Sequence, residues 1–344
     1  MTIESAGAAR FFKKGGIAMR LRHVIEPQQF NRATLEKLFM SADEMKRVRE
    51  RGGSEMLKGK SMVTLFYEPS TRTRLSFEEA MWALGGRVLP VPDAANISSF
   101  QKGETYEDTV RVVPADVIVL RTKEEGAAAR AAEVSPVPII NAGDGPGYHP
   151  TQAVLDVYTL RSELHTIDGV KAALVGDIQH GRAVRSFAYL LGKFEGVRIS
   201  FVCGKGMEVH HDILRHLSEH KVSYTIEHDL ARVASEVDVI YMTRLQKERI
   251  AGDTASFQAA YDTTVLTEEV VRRMRAHTIV MHPLPRINEI PKWFDTDHRA
   301  AYFRQSANGV STRMALLAEI LGSHGDAYRP EEVANTVQEA AKIL

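Results

Sequence analysis

Cysteine is nearly absent from this sequence, since Cys203 is the only one among 344 residues. A single cysteine excludes both a disulfide framework and a metal site built on cysteine ligands. It is also typical of proteins that stay in a reducing compartment, because disulfides persist mainly in oxidising ones. We therefore expect a cytoplasmic location.

An excess of charge of one sign is also missing. Lys+Arg and Asp+Glu each number 44, so the formal net charge is +0 and no basic stripe indicates nucleic-acid binding. No apolar run approaches the ~20 residues that a helix needs to cross a bilayer, so we expect no membrane association. The chain is longer than one hydrophobic core usually allows, which predicts two domains.

The two ends of the chain lack the regular patterns of its middle. Residues 1–20 carry charges and glycines but no apolar core of the ~7–15 residues typical of a signal peptide. We interpret them as a disordered N-terminal extension, with Met19 as an alternative start of the functional chain. Residues 323–344 form a C-terminal extension of unassigned role, in which the pattern over residues 330–344 predicts a helix.

A strand, a tight turn and a helix are predicted over residues 61–84. Residues 61–66 are apolar and β-branched, and apolar residues recur at helical spacing from Leu75 to Leu84. The turn between them is YEPSTRTR, in which Ser70 stands at the expected N-cap, so that first-turn amides, three hydroxyls and Arg72 converge on one point. An ordinary cap beside two solvated arginines is the alternative, but the strand and helix context favours phosphate binding.

Strands and helices alternate along the rest of the chain, which predicts an α/β fold with parallel sheets. In such sheets ligands bind at the carboxyl ends of the strands. The polar residues there include Lys102, Arg121 and His149 in the first half and Arg182, Arg244 and Gln246 in the second. Further strands are predicted at residues 87–92, 116–121, 137–142, 170–176, 198–203, 222–226, 237–243 and 278–281.

The second half of the chain indicates a carboxylate site rather than a dinucleotide site. Its first strand is followed by VGDIQHG, which lacks the G-x-G-x-x-G pattern and argues against a nicotinamide cofactor. Arginines from different strand ends suit a small dicarboxylate, because the planar guanidinium matches a carboxylate in bidentate fashion. A phosphate site facing a diacid site predicts group transfer across a cleft.

Three motifs then carry a resemblance: STRTR at residues 70–74, HPTQ at 149–152 and HPLPR at 282–286. Together, and in this order, they resemble the aspartate/ornithine carbamoyltransferase family, specifically its aspartate branch. The likeness runs from about Leu21 to Leu321. The ornithine branch usually shows a cysteine where Pro283 stands here, which argues against ornithine.

The resemblance implies transfer of the carbamoyl group of carbamoyl phosphate to the amino group of L-aspartate, giving N-carbamoyl-L-aspartate and phosphate for pyrimidine biosynthesis. It implies no metal and no organic cofactor. The implied carbamoyl phosphate site comprises Ser70, Thr71, Arg72, Thr73, Ser98, Lys102, Arg121, His149, Gln152, Pro283 and Leu284, of which Arg72, Thr73, Arg121, His149 and Gln152 are catalytic. The implied L-aspartate site comprises Lys102, Arg182, Arg244 and Gln246.

The resemblance also implies a role for each group. Thr73, Arg121 and His149 would stabilise the oxyanion, with His149 acting as a neutral hydrogen-bonding group rather than a nucleophile. Gln152 and the carbonyls of Pro283 and Leu284 would hold the carbamoyl NH₂. Arg182 would bind the α-carboxylate of L-aspartate, and Arg244 with Gln246 the β-carboxylate.

In this family the loop that matches residues 98–104 reaches into a neighbouring subunit. The resemblance therefore implies a homotrimer with shared active sites, in which Ser98 and Lys102 act on the neighbour's substrates. A solvated mobile loop is the alternative. The resemblance leaves open whether a regulatory chain or a dihydroorotase associates with the trimer.

The implied domains are a carbamoyl-phosphate-binding domain, residues 21–149 and 301–322, and an aspartate-binding domain, residues 160–294. Both are doubly wound parallel sheets, joined by buried helices, and the C-terminal helix returns to the first domain. One departure concerns Thr122-Lys123, where the aspartate branch commonly has His-Pro. Together with the terminal extensions, it motivates one alternative, a sister carbamoyltransferase with another amino or amide acceptor. A non-catalytic homologue is the other alternative, and it is disfavoured because no implied catalytic position is lost.

Overall fold

The computed structural model describes residues 21–97, 99–205, 207, 209–245 and 254–322. The two expected extensions, residues 1–20 and 323–344, lie outside this range, as do the site candidates Ser98 and Gln246. Among the described residues, no helix has the length and apolar character that crossing a bilayer requires.

The first sheet has four parallel strands and the order β2-β1-β3-β4. Its strands are β1 (Ser61–Phe66), β2 (Arg87–Val91), β3 (Val117–Thr122) and β4 (Ile139–Asp144). The helices of this half are α1 (Arg32–Glu50), α2 (Thr71–Ala83), α3 (Ala94–Ile97), α4 (Tyr106–Val112) and α5 (Ala127–Val134). The inner strand β3 and the edge strand β4 are buried along their whole length, as expected for a parallel sheet covered on both faces.

The second sheet has five parallel strands and the order β7-β6-β5-β8-β9. Its strands are β5 (Lys171–Val175), β6 (Arg198–Val202), β7 (Ser223–Glu227), β8 (Val239–Met242) and β9 (Ile279–Met281). The helices of this half are α7 (Arg182–Leu191), α8 (His211–Glu219), α9 (Leu230–Val233), α10 (Thr254–Thr264) and α11 (Glu268–Arg273).

Two long helices join the sheets. Helix α6 (Pro150–Leu164) leads from β4 towards β5, and its residues 153–160 are all buried. Helix α12 (Tyr302–Leu321) follows the second sheet and returns to pack against α1, α2 and α6. The buried amide of Asn308 donates to Thr159 Oγ1 (2.9 Å) and ties α12 to α6. The predicted fold class, with two doubly wound sheets, buried joining helices and a returning C-terminal helix, is confirmed.

Each sheet reverses its winding direction at one place. Strand β1 lies between β2 and β3, and β5 lies between β6 and β8. Such switch points open a crevice at the carboxyl ends of the strands, because the loops leaving the two neighbouring strands diverge. The fold therefore provides two crevices, one after β1 and β3 and one after β5 and β8.

Some element bounds differ from the sequence-based predictions. Helix α2 begins at Thr71, directly after the predicted N-cap Ser70, although its polar first turn shows no apolar periodicity. Helices α5 and α10 were not predicted, since alanine and other small residues make up much of both and few large apolar residues mark a helix face. Strand β1 has the predicted bounds, and Gly85, with φ 79°, follows the predicted end of α2.

Candidate active site

The two crevices open into one cavity of about 470 Å³. Its walls come from the segments after β1, β3 and β4 in the first half and after β5, β8 and β9 in the second. Most of the predicted site residues line it: Ser70, Thr71, Arg72, Thr73, Arg121, His149, Gln152, Arg182, Arg244, Pro283 and Leu284.

The N-terminus of α2 forms the phosphate end of the cavity. Ser70 is the N-cap residue, as predicted, yet its hydroxyl makes no capping hydrogen bond and is available to a ligand. Arg74 is held by Glu78 (3.1 Å), whereas no hydrogen bond or ion pair engages Arg72 within the described part of the chain. The unpaired first-turn amides, the free hydroxyl and the free guanidinium together favour an anion.

Arg121 ends β3 at the switch point, with its side chain almost entirely buried. Its Nη1 donates to the carbonyl oxygen of Ala142 (2.9 Å), and its Nη2 pairs with Glu68 Oε2 (3.1 Å). Burial, and secondarily the nearby Arg182, lowers the pKa of Arg121 to about 10, although Glu68 opposes the shift. The guanidinium is thus a cation at neutral pH, aimed into the cavity from a rigid strand.

Gly143 allows the two arginines to approach each other. A Cβ atom at this position would lie 2.9 Å from Arg121 Nη1 and 3.0 Å from Arg182 Cζ. Its φ of 115° is also one that other residues rarely adopt. The register of β3 against β4 shifts beside it, and such bulges commonly re-aim side chains next to active sites.

Glu68 is a site residue that the sequence analysis missed. Its Oε2 accepts from Arg121 and from Arg182 Nη1 (3.2 Å), so one carboxylate of the first half binds a cation from each half. Glu68 lies within the turn motif directly after β1, and that position was the available signal. Its charge gave no signal, because an anion site is expected to be lined by cations. An incoming phosphate or carboxylate has to compete with Glu68 for these two arginines.

His149 is the N-cap of α6 and is buried beside the same arginines. Its backbone N–H donates to Ser186 Oγ (3.0 Å), which fixes the start of α6 against α7. Burial, followed by the charges of Arg182, Arg121 and Arg313, holds the pKa of His149 well below its usual value. The ring is therefore neutral at neutral pH, and its role as a hydrogen-bonding group towards the substrate stays a prediction.

Residues 282–286 form the opposite wall. His282 Nδ1 accepts from the backbone N–H of Leu284 (2.8 Å), so the ring proton lies on Nε2 and donates to Glu289 Oε1 (2.8 Å). Burial lowers the pKa of His282 despite this carboxylate, and the ring remains a neutral acceptor. Leu284 has a left-handed φ of 55°, which side chains other than glycine seldom adopt. The turn and its carbonyl groups are thereby fixed.

Comparison with family models decides the family. The carbamoyl-P binding domain of the aspartate/ornithine carbamoyltransferases matches residues 22–162, and their Asp/Orn binding domain matches residues 168–320. The chain belongs to the aspartate/ornithine carbamoyltransferase family. In this family's models α12 falls within the second match, although it packs against helices of the first half.

Relatives and solved structures agree with this membership. Aspartate carbamoyltransferase 1, chloroplastic, of Pisum sativum is 50% identical over 309 residues, covering 89% of this chain and 80% of the relative. The aspartate carbamoyltransferase catalytic subunit of Methanococcoides burtonii is 43% identical, covering 88% and 97%. The aspartate transcarbamoylase of Trypanosoma cruzi in complex with N-(phosphonacetyl)-L-aspartic acid superimposes with a TM-score of 0.83 at 37% identity, covering 88% and 96%.

Lys102 lies elsewhere in this member of the family. It ends an exposed 3-10 turn, Ser99–Lys102, and is not among the described residues that line the cavity of its own chain. Strand β2, which precedes this loop, is at the edge of the sheet and one strand away from the switch point. The carboxyl ends of all four parallel strands lie at the same edge of the sheet, but Lys102 does not reach the cavity of its own chain. A role in a neighbouring subunit's site remains a prediction.

The electrostatic design of the cavity suits two anions. The N-termini of α2, α6 and α7 all reach it, and each carries partial positive charge on unpaired amides. Its lining includes five arginines, Arg72, Arg121, Arg182, Arg244 and Arg313, and the carboxylates of Glu68 and Asp177. The described residues include no group of three or more His, Cys, Asp or Glu placed to hold a metal ion.

Proposed function

We propose that this chain transfers the carbamoyl group of carbamoyl phosphate to the amino group of L-aspartate, giving N-carbamoyl-L-aspartate and phosphate in pyrimidine biosynthesis. One observation carries the proposal: two arginine-bearing crevices, each at the switch point of its own sheet, share a single cavity. The reaction itself is supported by similar family members, two of them 50% identical to this chain, that are named aspartate carbamoyltransferase or aspartate transcarbamoylase.

The phosphate of the donor binds at the N-terminus of α2. The first-turn amides, Ser70 and Arg72 hold its oxygens, and Arg121 reaches both the phosphate and the carbonyl oxygen. The amine of L-aspartate attacks the carbonyl carbon and forms a C–N bond, while the C–O bond to phosphate breaks. The leaving phosphate keeps the electron pair of that bond and can accept the proton that the amine loses.

Charge develops on the carbonyl oxygen during the attack. Arg121 and neutral His149 are rigidly placed donors in a buried setting, so they stabilise the oxyanion with little reorganisation. Because the imidazole is already neutral, its N–H donation does not depend on pH over the neutral range. L-Aspartate is held by Arg182 and Arg244 on the opposite side of the cavity.

Acceptor identity is tested with a panel. Purified protein is given carbamoyl phosphate and L-aspartate, ornithine, putrescine or small amides, and the carbamoylated product is measured. We expect turnover with L-aspartate alone. Turnover only with another acceptor would support the sister carbamoyltransferase. If folded, trimeric protein shows no turnover with any acceptor, the result would support a non-catalytic homologue.

The Thr122-Lys123 departure gives the sister enzyme little support. Thr122 is fully buried and its hydroxyl donates to the carbonyl oxygen of Glu124 (3.1 Å), so the turn after β3 is closed locally. Lys123 is exposed and is not among the described lining residues. Arg121 thus keeps its place without the usual His-Pro pair.

A homotrimer with shared sites is the assembly that we propose. An exposed apolar patch on the first half supports it: Leu75 and Trp82, two turns apart on α2, are 50% and 64% exposed, and Leu89 on the edge strand β2 is 44% exposed. Patches of this kind usually mark protein interfaces. The exposed Lys102, outside the cavity of its own chain, fits a role across such an interface.

Mixing inactive variants tests the shared site. Lys102→Ala and Arg121→Leu chains are each expected to be nearly inactive as homotrimers, and co-refolded mixtures to regain activity, because mixed trimers contain sites with neither change. Light scattering should give a trimer mass for both variants and a lower mass for Trp82→Glu. Mixtures that stay inactive, or an active Lys102→Ala homotrimer, would refute the arrangement.

We further propose that the trimer associates with a regulatory chain or a dihydroorotase. Segments 42% identical to this chain lie within the multifunctional protein pyr1-3 of Dictyostelium discoideum and the multifunctional protein CAD of Squalus acanthias, of which they make up 14% and 13%. Co-purification with the tagged chain tests this.

The cytoplasmic location likewise stays a proposal, because several relatives are chloroplastic by name; imaging of a tagged full chain would decide it.

A further inference from the structure

Asp156 is a fully buried carboxylate that does not belong to the described lining of the cavity. It lies on α6, one turn after Gln152. Side chains from three elements donate to it: Gln152 Nε2 (2.8 Å) on α6, Gln305 Nε2 (2.6 Å) on α12 and Tyr241 Oη (2.7 Å) on β8. A buried carboxylate is costly unless it is well paired, and this one is fully committed to orienting other groups.

The carboxylate decides which end of the Gln152 amide faces the cavity. An ionised carboxylate can only accept, so Gln152 must present its NH₂ group to Asp156. Its carbonyl oxygen is then left for a ligand, and a hydrogen-bond donor is what that oxygen can bind. In the reversed orientation, the carbonyl oxygen of Gln152 would lie next to the Asp156 carboxylate, which is also an acceptor. The NH₂ group would then face the ligand and offer it a donor instead.

The same carboxylate orients the opposite wall through Gln305. Because Gln305 also gives its NH₂ group to Asp156, its carbonyl oxygen accepts from the backbone N–H of His282 (2.8 Å). His282 directly precedes Pro283 and Leu284, which line the cavity and whose carbonyl groups are the predicted acceptors for the carbamoyl NH₂. One buried group thus fixes two sets of acceptors that face the same volume.

We propose that Asp156 is a positioning residue that makes the site selective for a donor bearing an NH₂ group. By fixing Gln152 directly and residues 282–284 through Gln305, it surrounds the donor's nitrogen with acceptors only. A carbamoyl group satisfies these acceptors, whereas an acetyl group, with CH₃ in place of NH₂, leaves them unpaired in a buried site. The inference rests on the proposed function, because it specifies how that reaction recognises its donor.

Two opposing influences act on the charge of Asp156: its three hydrogen-bond donors favour the ionised carboxylate, whereas burial disfavours it. Burial raises its pKa to about 7, against the opposing effects of the hydrogen bonds from Tyr241, Gln305 and Gln152 and of the charge of Arg313. Arg313 is itself buried on α12, with its guanidinium 4.8 Å from the ring centre of Phe77. Retaining such a charge is understandable where it fixes the orientation of ligand-binding groups.

Asp156→Asn tests the proposal, because asparagine keeps the shape but offers a donor as well as an acceptor, so Gln152 is free to reverse. Initial rates with carbamoyl phosphate give kcat/KM, and competition with carbamoyl phosphate gives the inhibition constants of acetyl phosphate and inorganic phosphate. We expect kcat/KM to fall about 10–100-fold and the preference for carbamoyl over acetyl phosphate to narrow by a similar factor. The inhibition constant of inorganic phosphate should be unchanged.

Thr159→Val is the matched control, because it removes the neighbouring buried hydrogen bond between α6 and α12, from Asn308, and leaves Gln152 untouched. It should lower the melting temperature and leave the donor preference intact. If Asp156→Asn does not fold, Gln305→Met is the second test. It removes the hydrogen bonds that link Asp156 to His282 and should also narrow the preference for carbamoyl over acetyl phosphate. An unchanged preference in the folded variants, whatever the activity, would overturn the inference; a wild-type chain with no carbamoyl transfer would instead overturn the proposed function.

Discussion

Replacing Arg121 with leucine is expected to lower kcat by about 10³-fold. Loss of a single preorganised oxyanion donor typically costs 10²–10³ in turnover, and Arg121 is both a donor and a full charge. It also reaches the phosphate end, so binding of carbamoyl phosphate should weaken. The measurement is steady-state kinetics with both substrates varied, together with the inhibition constant of inorganic phosphate.

The fold should tolerate the Arg121 change. Burial lowers the pKa of Arg121, which means that the folded state disfavours its charge, so leucine removes an unfavourable desolvation as well as two polar contacts. Glu68 keeps its second partner, Arg182. Thermal melting of the variant should therefore be close to that of the wild type, and the kinetic loss cannot be ascribed to unfolding.

Two further variants define what Arg121 contributes. Arg121→Lys keeps a charge but not the planar fork, so we expect an activity between those of the wild type and the leucine variant. Arg111→Leu removes an exposed arginine of the same half, paired only with Asp108, and should leave kcat unchanged. Equal activity of Arg121→Leu and wild type would remove Arg121 from the oxyanion site.

The sequence indicated the cations of the site because parallel strands bring their ends together. Arg121 and Arg182 could be placed at strand ends before any coordinates, and the switch points then put them into one cavity. Spacing alone did not distinguish Arg72 from Arg74, which is engaged by Glu78. Arg72 and Arg74 differ because their side chains leave α2 in different directions, and only Arg74 meets Glu78.

The carboxylates could not be placed in the same way. Glu68 and Asp156 act through partners that lie far away in the sequence, on β3, α7, β8 and α12. A single sequence gives the position of a carboxylate along its own element but not the element packed against it. Lys102 follows the edge strand β2, and a single sequence does not give the order of strands in a sheet. Its role in a neighbouring subunit's site stays a prediction.

Replacing Arg182 with glutamine is expected to raise KM for L-aspartate about 100-fold, with KM for carbamoyl phosphate changed much less. Arg182 donates from Nη1 to Glu68 (3.2 Å) and to the carbonyl oxygen of Gly145 (2.7 Å). Within the described residues its Nε and Nη2 have no partner, so one edge of the fork remains for a carboxylate. Hydrogen bonds between charged groups contribute roughly 1.5–3 kcal/mol each, which sets this magnitude.

A double-mutant cycle with Glu68→Gln separates substrate binding from pairing inside the protein. If Arg182 served only to neutralise Glu68, removing Glu68 as well would restore KM for L-aspartate, because Glu68 would no longer lack one of its two cationic partners. If Arg182 binds the substrate's α-carboxylate, the double variant keeps the raised KM. Arg198→Gln, an exposed arginine on β6 of the same half, serves as the control and should leave both KM values unchanged. The phosphate end has its own cations, so losing only the carboxylate contact of Arg182 should spare KM for carbamoyl phosphate. If Arg182→Gln raises KM for carbamoyl phosphate as much as KM for L-aspartate, the cavity is distorted instead.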